Sequence, residues 1–531
     1  MMPGGVSIPC AFFDRNGYRA AGIPRRSRQG EYYSEGRHLA DAMKCTGMNS
    51  RSRIVLTTAN ARFSHCAFGL LRLAAALRAR GYSPEIREFT IQQTPFEITE
   101  SLLASKPDVV GFGIYIWNVE LMRHVVHLVK SVSPRTTLVL GGPEIQGDKE
   151  ELDLFEGAGY FVKGEGENTF ADLVQCLDSG SAPEERVITG TPPRLEELPS
   201  PYELYSSEDI ENRIVYVESS RGCPYRCAFC LSALDNKVRY FPLKEFFDAM
   251  EILLEKGVRL FKFTDRTFNV NEHRMIEILE FFLLRFTPGV QLHLEIMPDR
   301  LGKAACEKMA AFPARGLHLE VGLQSFSAEV QRGIGRYQNV ERTMDTIAFL
   351  RSQTGAVLHA DLIIGLPGDD RESVARGFDA LVSARVQEIQ VGLLKRLRGT
   401  PLADTKDEDL VFDVFPPYEI LSAGEMGFGE IQQMKRFARY FDMYYNSGNF
   451  PESLNLLWES QSSSFQSFSL LAREVWEKEG RTHGIPLARL AERLFEHLCS
   501  LRLWSEEEVA AQIERDFRRL PGRLDKLKFR R

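Results

Sequence analysis

Short apolar runs alternate with amphipathic stretches from residue 53 to about residue 180. The segments between these runs carry apolar residues at helical spacing, as in PFEITESLLASK and VELMRHVVHLVKSV. Strands that alternate with helices predict a parallel sheet with helices on both faces, and the strand ends of such a sheet form a ligand crevice. We therefore expect a doubly wound, Rossmann-like domain. Its candidate strands are RIVLTT, SPEIREFT, DVVGFGIYIW, TTLVLGG and the start of YFVKGEGENTFADLVQCL.

A second alternating series begins at about residue 213. Six βα repeats predict either a partial (β/α)6 barrel of the TIM type or a wide open sheet. We favour the barrel because most of these strands end in polar residues that would line one mouth. The candidate strands are RIVYVESS, LFKFTDRTF, VQLHLEIMP, LHLEVGLQS, VLHADLIIGLP and EIQVGLLKRL.

The remaining segments lack this alternation. Residues 1–50 show no sustained period and are expected to be a mobile leader, of which residues 1–47 could be a start-site artefact because Met48 precedes the first strand. Gly, Ser, Pro and acidic residues mark a linker between the two series. The end of the chain is mostly helical, with a capping box at Ser505 and Glu508. The expected division is a leader (1–50), a Rossmann-like domain (51–180), a linker (181–212), a barrel (213–403) and a helical C-terminal domain (404–531).

The composition and charge of the chain restrict its expected cellular location and its expected binding partners. With 66 basic and 73 acidic residues, the net charge is -7, which disfavours a nucleic-acid partner. No apolar run approaches the roughly 20 residues that span a bilayer, and the N-terminus lacks a signal-peptide core. Nine cysteines without extracellular context disfavour a disulfide framework. We therefore expect a cytoplasmic protein with free thiols, without a membrane or nucleic-acid partner.

Three of the nine cysteines lie within eight positions, in RGCPYRCAFC. Cys223, Cys227 and Cys230 have the spacing C-x3-C-x2-C, and zinc and iron–sulfur clusters both use thiolate ligands. A structural zinc site needs a fourth ligand, but the next cysteine is Cys306 and no histidine lies nearby. A [4Fe–4S] cluster on three thiolates instead leaves one iron open for a small molecule. A zinc knuckle or a chance spacing is the alternative.

This spacing after the first barrel strand, with Phe229 before the last cysteine, resembles the radical S-adenosylmethionine (radical SAM) enzymes. The resemblance implies that the three cysteines hold a [4Fe–4S] cluster whose open iron binds S-adenosylmethionine. It also implies an external one-electron reductant of the flavodoxin or ferredoxin type. Reductive cleavage then gives methionine and a 5′-deoxyadenosyl radical.

Polar residues on later strands resemble family positions that contact S-adenosylmethionine. Asp265 is the candidate for the methionine amino group, with a turn-capping role as the alternative. Ile364 and Gly365 would lie near the adenine. For the polar residues a structural hydrogen bond is the competing interpretation. The further candidates for the ribose and the carboxylate are Glu295, Glu320, Gln324 and Ser325.

The loops TTANARFSHCAFG, GFGIYIWN, LGGPE and VKGEGE resemble, in order, the cobalamin-binding domain that precedes the barrel in many radical SAM enzymes. Many such domains carry D-x-H-x-x-G, but this chain has SHCAFG, so His65 is not expected to ligate cobalt. Loss of cobalamin binding is the alternative. The candidate cobalamin contacts are Tyr115, Trp117, Asn118, Gly141, Gly142, Gly164 and Glu165.

These resemblances imply an enzyme that transfers a methyl group from methylcobalamin to an unactivated carbon, with the two domain mouths apposed. The C-terminal region resembles an extension found in an uncharacterised subgroup of this superfamily. Alternative outcomes are cyclisation, ring contraction or another rearrangement, and methylthio transfer, which would need three further clustered cysteines. A cobalamin or iron–sulfur sensor is the non-enzyme alternative. The sequence carries no signature of the substrate.

Overall fold

The molecule consists of an N-terminal α/β domain, a second α/β domain built as a partial barrel, and a mostly helical C-terminal region. A computed structural model describes residues 51–147, 152–405, 407–424 and 426–519, together with residues 523, 527 and 529. The predicted leader, residues 1–50, lies outside the described residues.

Six parallel strands form the first sheet in the order β2-β1-β3-β4-β5-β6. This order reverses between β1 and β3, and the reversal opens a crevice at the carboxyl ends of these strands. β1 is buried along its whole length, as a parallel strand covered on both faces should be. The doubly wound prediction is confirmed. The strands are β1 (Ile54–Asn60), β2 (Glu85–Thr90), β3 (Val109–Gly113), β4 (Thr137–Gly141), β5 (Tyr160–Lys163) and β6 (Val187–Thr189); the helices are α1 (Phe68–Ala79), α2 (Pro95–Ala104), α3 (Val119–Val132) and α4 (Glu167–Asp178).

The segment predicted as a linker packs against both α/β domains. Its β6 pairs with β5 and so extends the first sheet. A short helix, α5 (Ser207–Asn212), then leads into the first barrel strand. Tyr202 and Tyr205 are buried, and the Tyr205 hydroxyl donates to the Tyr216 carbonyl at 2.8 Å. The segment therefore fixes the approach of one domain to the other.

The second sheet contains six parallel strands in the order β14-β13-β12-β11-β10-β7. A small antiparallel pair, β8 with β9, carries the chain into and out of the cysteine loop. This arrangement confirms the partial (β/α)6 barrel. The strands are β7 (Val215–Val217), β8 (Ser220–Arg221), β9 (Arg239–Tyr240), β10 (Leu260–Phe263), β11 (Gln291–Ile296), β12 (Leu317–Gln324), β13 (Val357–Ile364) and β14 (Glu388–Leu393); the helices are α6 (Leu243–Glu255), α7 (Glu272–Leu284), α8 (Lys303–Ala310), α9 (Ala328–Gly333), α10 (Val340–Gln353) and α11 (Arg371–Ser383).

The C-terminal region begins with an antiparallel hairpin that the sequence analysis does not predict. Its strands are β15 (Leu410–Phe412) and β16 (Ile420–Ala423). Five α-helices follow within the described part of this region, which confirms the prediction of a mostly helical domain, and the predicted capping box at Ser505 and Glu508 is present. The helices are α12 (Phe428–Phe441), α13 (Ser453–Glu459), α14 (Ser464–Glu479), α15 (Leu487–Ser500) and α16 (Glu506–Arg518).

One hydrophobic core joins the barrel to the C-terminal helices. The ring of Phe378 on α11 lies 5.1 Å from that of Phe437 and 4.8 Å from that of Phe441, both on α12. Phe465 on α14 packs against the same ring. The aromatic residues of the extension thus pack on an outer helix of the barrel. Among the described residues, none of the helices combines the length and the apolar character needed to cross a bilayer.

Candidate active site

The cysteine loop follows the first barrel strand and is held by its own backbone. The side chains of Cys223 and Cys227 are buried, and that of Cys230 is half-buried. Gly222 has φ of +86°, and a Cβ there would lie 2.2 Å from the carbonyl oxygen of Lys237. The amide of Cys223 donates to the carbonyl of Asp235 at 2.9 Å. A glycine is therefore needed for the loop to turn at this point.

Each of the three sulfur atoms has a polar neighbour. Arg336 Nη1 lies 3.6 Å from Sγ of Cys227, and the amide of Ser232 donates to Sγ of Cys230 at 3.4 Å. Thr267 Oγ1 lies 3.5 Å from Sγ of Cys223. Burial raises the pKa of Cys227, and the positive charge of Arg336 opposes this shift. Three thiols with polar neighbours on one loop fit the ligands of an iron–sulfur cluster, whose potential depends on such contacts.

Asp265, at the end of the next strand, is buried beside the residues that precede the cysteine loop. Its carboxylate accepts hydrogen bonds from the amide and the hydroxyl of Ser219, at 2.9 and 2.6 Å, and from the hydroxyl of Ser220 at 2.6 Å. Burial raises its pKa to about 6, and these hydrogen bonds oppose the shift. Asp265 thus ties β10 to the entrance of the loop. Its contact with the methionine amino group stays a prediction.

Glu295 and Glu320 are directly paired on β11 and β12 and lie in the barrel lumen. Oε2 of Glu320 lies 2.7 Å from Nε2 of His293 and 3.9 Å from Nζ of Lys262. Burial and the nearby charge of Glu320 raise the pKa of Glu295 to about 8, against the opposing charge of Arg266. Two acids therefore share the lumen, and burial favours the protonated form of Glu295.

The other predicted S-adenosylmethionine contacts lie at strand ends. Gln324 has φ of +69°, and the buried Ser325 accepts from the amide of Ser327 through its hydroxyl. Ile364 is buried, and Phe229 is half-buried against the core. Their contacts with S-adenosylmethionine stay predictions.

The predicted close approach at Gly365 concerns the adenine, and in the structure a side chain of the C-terminal hairpin also lies against this glycine. Its φ is +85°, and a Cβ at this position would lie 2.8 Å from Cγ2 of Ile420 on the C-terminal hairpin. Ile420 is fully buried. The hairpin therefore packs directly on the end of β13, so it belongs to the surroundings of the predicted adenine position.

A group of lumen residues was missed by the sequence analysis. Three strands share the pattern Leu-His-x-acid: LHLE at 292–295, LHLE at 317–320 and LHAD at 358–361. The rings of His293 and His318 stack with centroids 4.4 Å apart, and Nε2 of His359 lies 3.2 Å from Oδ1 of Asp361. The repeated Leu-His-x-acid pattern could have identified these residues. Polar residues that alternate with apolar ones along a barrel strand face the lumen.

In the first domain, aromatic and amide side chains cover the crevice between β1 and β3. The rings of Tyr115 and Trp117 stack 4.6 Å apart at 7°, and Trp117 Nε1 donates to the Ala59 carbonyl. Asn118 is buried, donates to Thr58 Oγ1 at 2.9 Å and accepts from the amide of Tyr115. Asn118 and Trp117 therefore fix the loop after β3, and Tyr115 supplies a flat ring at the crevice.

The glycines predicted to contact cobalamin differ in their surroundings. A Cβ on Gly142 would lie 2.5 Å from the Ile114 carbonyl oxygen, so this glycine serves the turn itself. A Cβ on Gly141 or Gly164 would meet no described atom closer than 3.5 Å. The open side of these two glycines fits the approach of a bulky planar ligand to the backbone.

His65 faces the barrel. Its Nδ1 lies 2.6 Å from the hydroxyl of Tyr216 on the first barrel strand. Burial, with the positive charges of Lys262 and two arginines, lowers its pKa to about 4. The Nδ1 atom of His65 is thus engaged by the first barrel strand, and the expectation that His65 does not ligate cobalt stays a prediction.

Ion pairs join the cysteine loop to the first domain. Arg221, two residues before Cys223, bonds Glu165 Oε2 at 2.5 Å and Glu167 Oε1 at 2.6 Å, and it also pairs with Glu218. Arg239 on β9 pairs with Glu165 as well. The two domain mouths are therefore apposed, as predicted. Both oxygens of Glu165 face arginines, and its contact with cobalamin stays a prediction.

Three family models match consecutive parts of the chain. The B12 binding domain matches residues 54–174, the Radical SAM superfamily matches residues 217–380, and a protein family of unknown function (DUF4080) matches residues 407–520. These ranges coincide with the three structural parts described above.

Known proteins share this arrangement. An uncharacterised methyltransferase, PH0819 of Pyrococcus horikoshii, is 26% identical over 58% of this chain and 71% of its own length. The solved structure of OxsB, with aqua-cobalamin and S-adenosylmethionine, has a TM-score of 0.64 at 13% identity and covers 89% of this chain and 81% of that one. The methyltransferase TsrM of Kitasatospora setae, with cobalamin and a [4Fe–4S] cluster, has a TM-score of 0.57 at 17% identity and covers 87% and 99%.

The fold places a loop of three cysteines, suited to a thiolate-ligated cluster, at the mouth of a partial barrel beside a Rossmann-like domain. Within the chain, residues 54–174 form a B12-binding domain and residues 217–380 form a domain of the radical SAM superfamily.

Proposed function

We propose that this protein is a cobalamin-dependent radical SAM methyltransferase that acts on an unactivated carbon of its substrate. The observation that carries the proposal is the set of ion pairs from Arg221 to Glu165 and Glu167. Methyl transfer by this route needs both cofactors to face one space, and these pairs hold the B12-binding domain against the cysteine loop. The methyltransferases among the similar proteins support the same reaction class.

The chain's own residues hold and orient the cofactors in this proposal. Cys223, Cys227 and Cys230 would be the cluster ligands, and the loop glycines at 141 and 164 would admit cobalamin. When bound, the cluster supplies the electron that cleaves S-adenosylmethionine, and cobalamin carries the methyl group. The proposed contacts with S-adenosylmethionine are those predicted from the sequence, from Asp265 on β10 to Gly365 after β13.

The two acids in the lumen, Glu295 and Glu320, would form hydrogen bonds with polar groups of the substrate. Glu295 has a pKa of about 8, so its carboxyl group can donate a hydrogen bond at neutral pH. Glu320 is held by His293 and accepts instead. A donor and an acceptor side by side would orient a substrate that presents both kinds of group. An external one-electron reductant and a cytoplasmic location complete the proposal.

The test is anaerobic purification with cobalamin supplied, followed by reaction with S-adenosylmethionine and a low-potential reductant. We expect cobalamin bands and a cluster shoulder in the visible spectrum, and formation of 5′-deoxyadenosine and S-adenosylhomocysteine. The triple variant Cys223→Ala, Cys227→Ala, Cys230→Ala should lose iron, sulfide and 5′-deoxyadenosine, whereas the matched control Cys306→Ala should keep them. A wild-type protein with a full cluster that forms no 5′-deoxyadenosine would refute the proposal.

A further inference from the structure

A second group of potential metal ligands lies on three adjacent barrel strands, apart from the cysteine loop. His318 on β12, His359 on β13 and Glu388 on β14 each offer a ligand atom, and these atoms all lie within 4.8 Å of one another. The two histidines are buried and the glutamate is half-buried. We call these three residues the lumen triad. Each stands near the start of its strand, whereas the cysteines follow the end of β7.

The sheet register explains how the lumen triad forms. His359 is directly opposite Glu388 in the β13–β14 pair. His318 pairs with Val357, so His359 lies two residues further along its strand and faces the same side of the sheet. The rings of His318 and His359 stand at 85° with centroids 5.9 Å apart. Two edge-to-face imidazoles and a carboxylate thus converge from three strands.

The chemistry of this set is that of a metal site. Two histidines and one carboxylate ligate zinc in hydrolytic enzymes and ferrous iron in oxygenases, with an open position for water or substrate. With bonds of about 2.0–2.2 Å, ligands of one ion stand at most about 4.4 Å apart. Tetrahedral ligands of zinc stand about 3.3–3.6 Å apart, so the side chains of the lumen triad, which lie within 4.8 Å of one another, must draw together by about 1 Å when an ion binds.

The neighbours of the lumen triad resemble an outer ligand shell. Oδ1 of Asp361 lies 3.2 Å from Nε2 of His359, and metal-binding histidines commonly use one nitrogen for such a carboxylate. A proton on Nε2 would put the imidazole lone pair on Nδ1. His293 stacks on His318 and is itself held by Glu320 at 2.7 Å. The ring of His318 is therefore held by stacking on His293, and the ring of His359 is held by the carboxylate of Asp361.

We propose that His318, His359 and Glu388 bind one divalent transition-metal ion in the barrel lumen, in addition to the iron–sulfur cluster. Three protein ligands leave at least one coordination position for water or an oxygen atom of the substrate. The site would give the lumen a Lewis-acidic group that does not depend on the cysteines. It goes beyond the methyltransferase function and stands or falls independently of it.

Zinc is the probe for this site. The full-length protein, with its cluster reconstituted and its iron and sulfide measured, is dialysed against Zn²⁺ and then against metal-free buffer. We expect one retained zinc equivalent per chain and an X-ray absorption spectrum with nitrogen and oxygen neighbours at about 2.0–2.2 Å. Zinc in a cysteine site would instead show sulfur at about 2.3 Å, and that result would overturn the proposal.

Single variants assign the ligands. His318→Gln, His359→Gln and Glu388→Gln should each weaken zinc binding by more than ~100-fold, because even outer-shell changes cost 10–100-fold. The matched control is His273→Gln, which changes an exposed histidine on α7, and it should retain one zinc. Circular dichroism identifies any variant that fails to fold, and Glu388, half-buried at a strand start, is the least disruptive position. Equal zinc retention in folded triad variants and wild type would refute the site.

Discussion

At the scale of single residues, a buried carboxyl group makes barrel stability depend on pH. The pKa of Glu295 is raised from 4.5 to about 8, so between these values the unfolded chain loses a proton that the folded chain keeps. The contribution of Glu295 to the free energy of unfolding then decreases as pH rises through this range and levels off above it. We expect Glu295→Gln to remove this slope and to stabilise the protein by at least ~2 kcal/mol near pH 9, measured by urea unfolding.

The matched control is Glu307→Gln, which removes an exposed carboxylate of the same type on α8. Its slope between pH 5 and 9, measured in the same way, should equal that of the wild type within about 0.5 kcal/mol. Equal slopes in the wild type and in Glu295→Gln would show that Glu295 ionises in the folded barrel as it does in the unfolded chain.

A second prediction at this scale concerns the glycine that precedes the first cysteine. Gly222 and Gly257 both have positive φ, but an added Cβ would lie 2.2 Å from a backbone oxygen only at Gly222 and would meet nothing within 4 Å at Gly257. Gly257→Ala should therefore cost only about 1–2 kcal/mol of unfolding free energy. Gly222→Ala should cost more and should also lower bound iron per chain. Equal losses in the two variants would show that the cysteine loop tolerates a displaced backbone.

At the scale of secondary-structure elements, one short strand connects two domains. The side chain of Arg221 on β8 is only 11% exposed and pairs with Glu165, Glu167 and Glu218. Removal of one partner from a fully buried ion pair typically costs about 3–5 kcal/mol. We expect Arg221→Gln to lower the free energy of unfolding by this order and to make the segment 181–212 sensitive to proteases.

The control for this element is Arg194→Gln, because Arg194 also pairs with glutamates but is largely exposed. Exposed pairs contribute about 0–1 kcal/mol, so its stability and its proteolysis pattern should match those of the wild type. If Arg221→Gln behaved in the same way, the domains would be held together by other contacts.

Most strands and helices of the two α/β domains could be predicted because their apolar periods are long and regular. β6 and the β15–β16 hairpin could not, because strands of three or four residues carry no measurable period. The grouping of the three cysteines could be predicted because all three lie on one loop, and their role as cluster ligands stays a prediction. The lumen triad comes from three strands, and only the sheet register brings His318 beside His359.

At the scale of the whole molecule, the barrel and the C-terminal helices share one core, whereas the first domain has two of its own. The C-terminal family is defined as a separate unit along the chain, from residue 407 to residue 520. The boundary of a family is defined along the sequence, whereas the parts of a protein that unfold together are those that share buried contacts. The barrel and the extension should therefore unfold together.

The variant Phe378→Ala tests this expectation because Phe378 belongs to a barrel helix and contacts α12 and α14. Loss of a buried phenylalanine costs about 3–5 kcal/mol. Hydrogen exchange should then accelerate to the same extent in the barrel strand β13 and in the C-terminal helix α14. The control Phe112→Ala, in a core of the first domain, should leave the exchange of α14 unchanged. Acceleration confined to the C-terminal helices would mean that they open independently, and the hairpin residue Ile420 could then leave Gly365 and expose the end of β13.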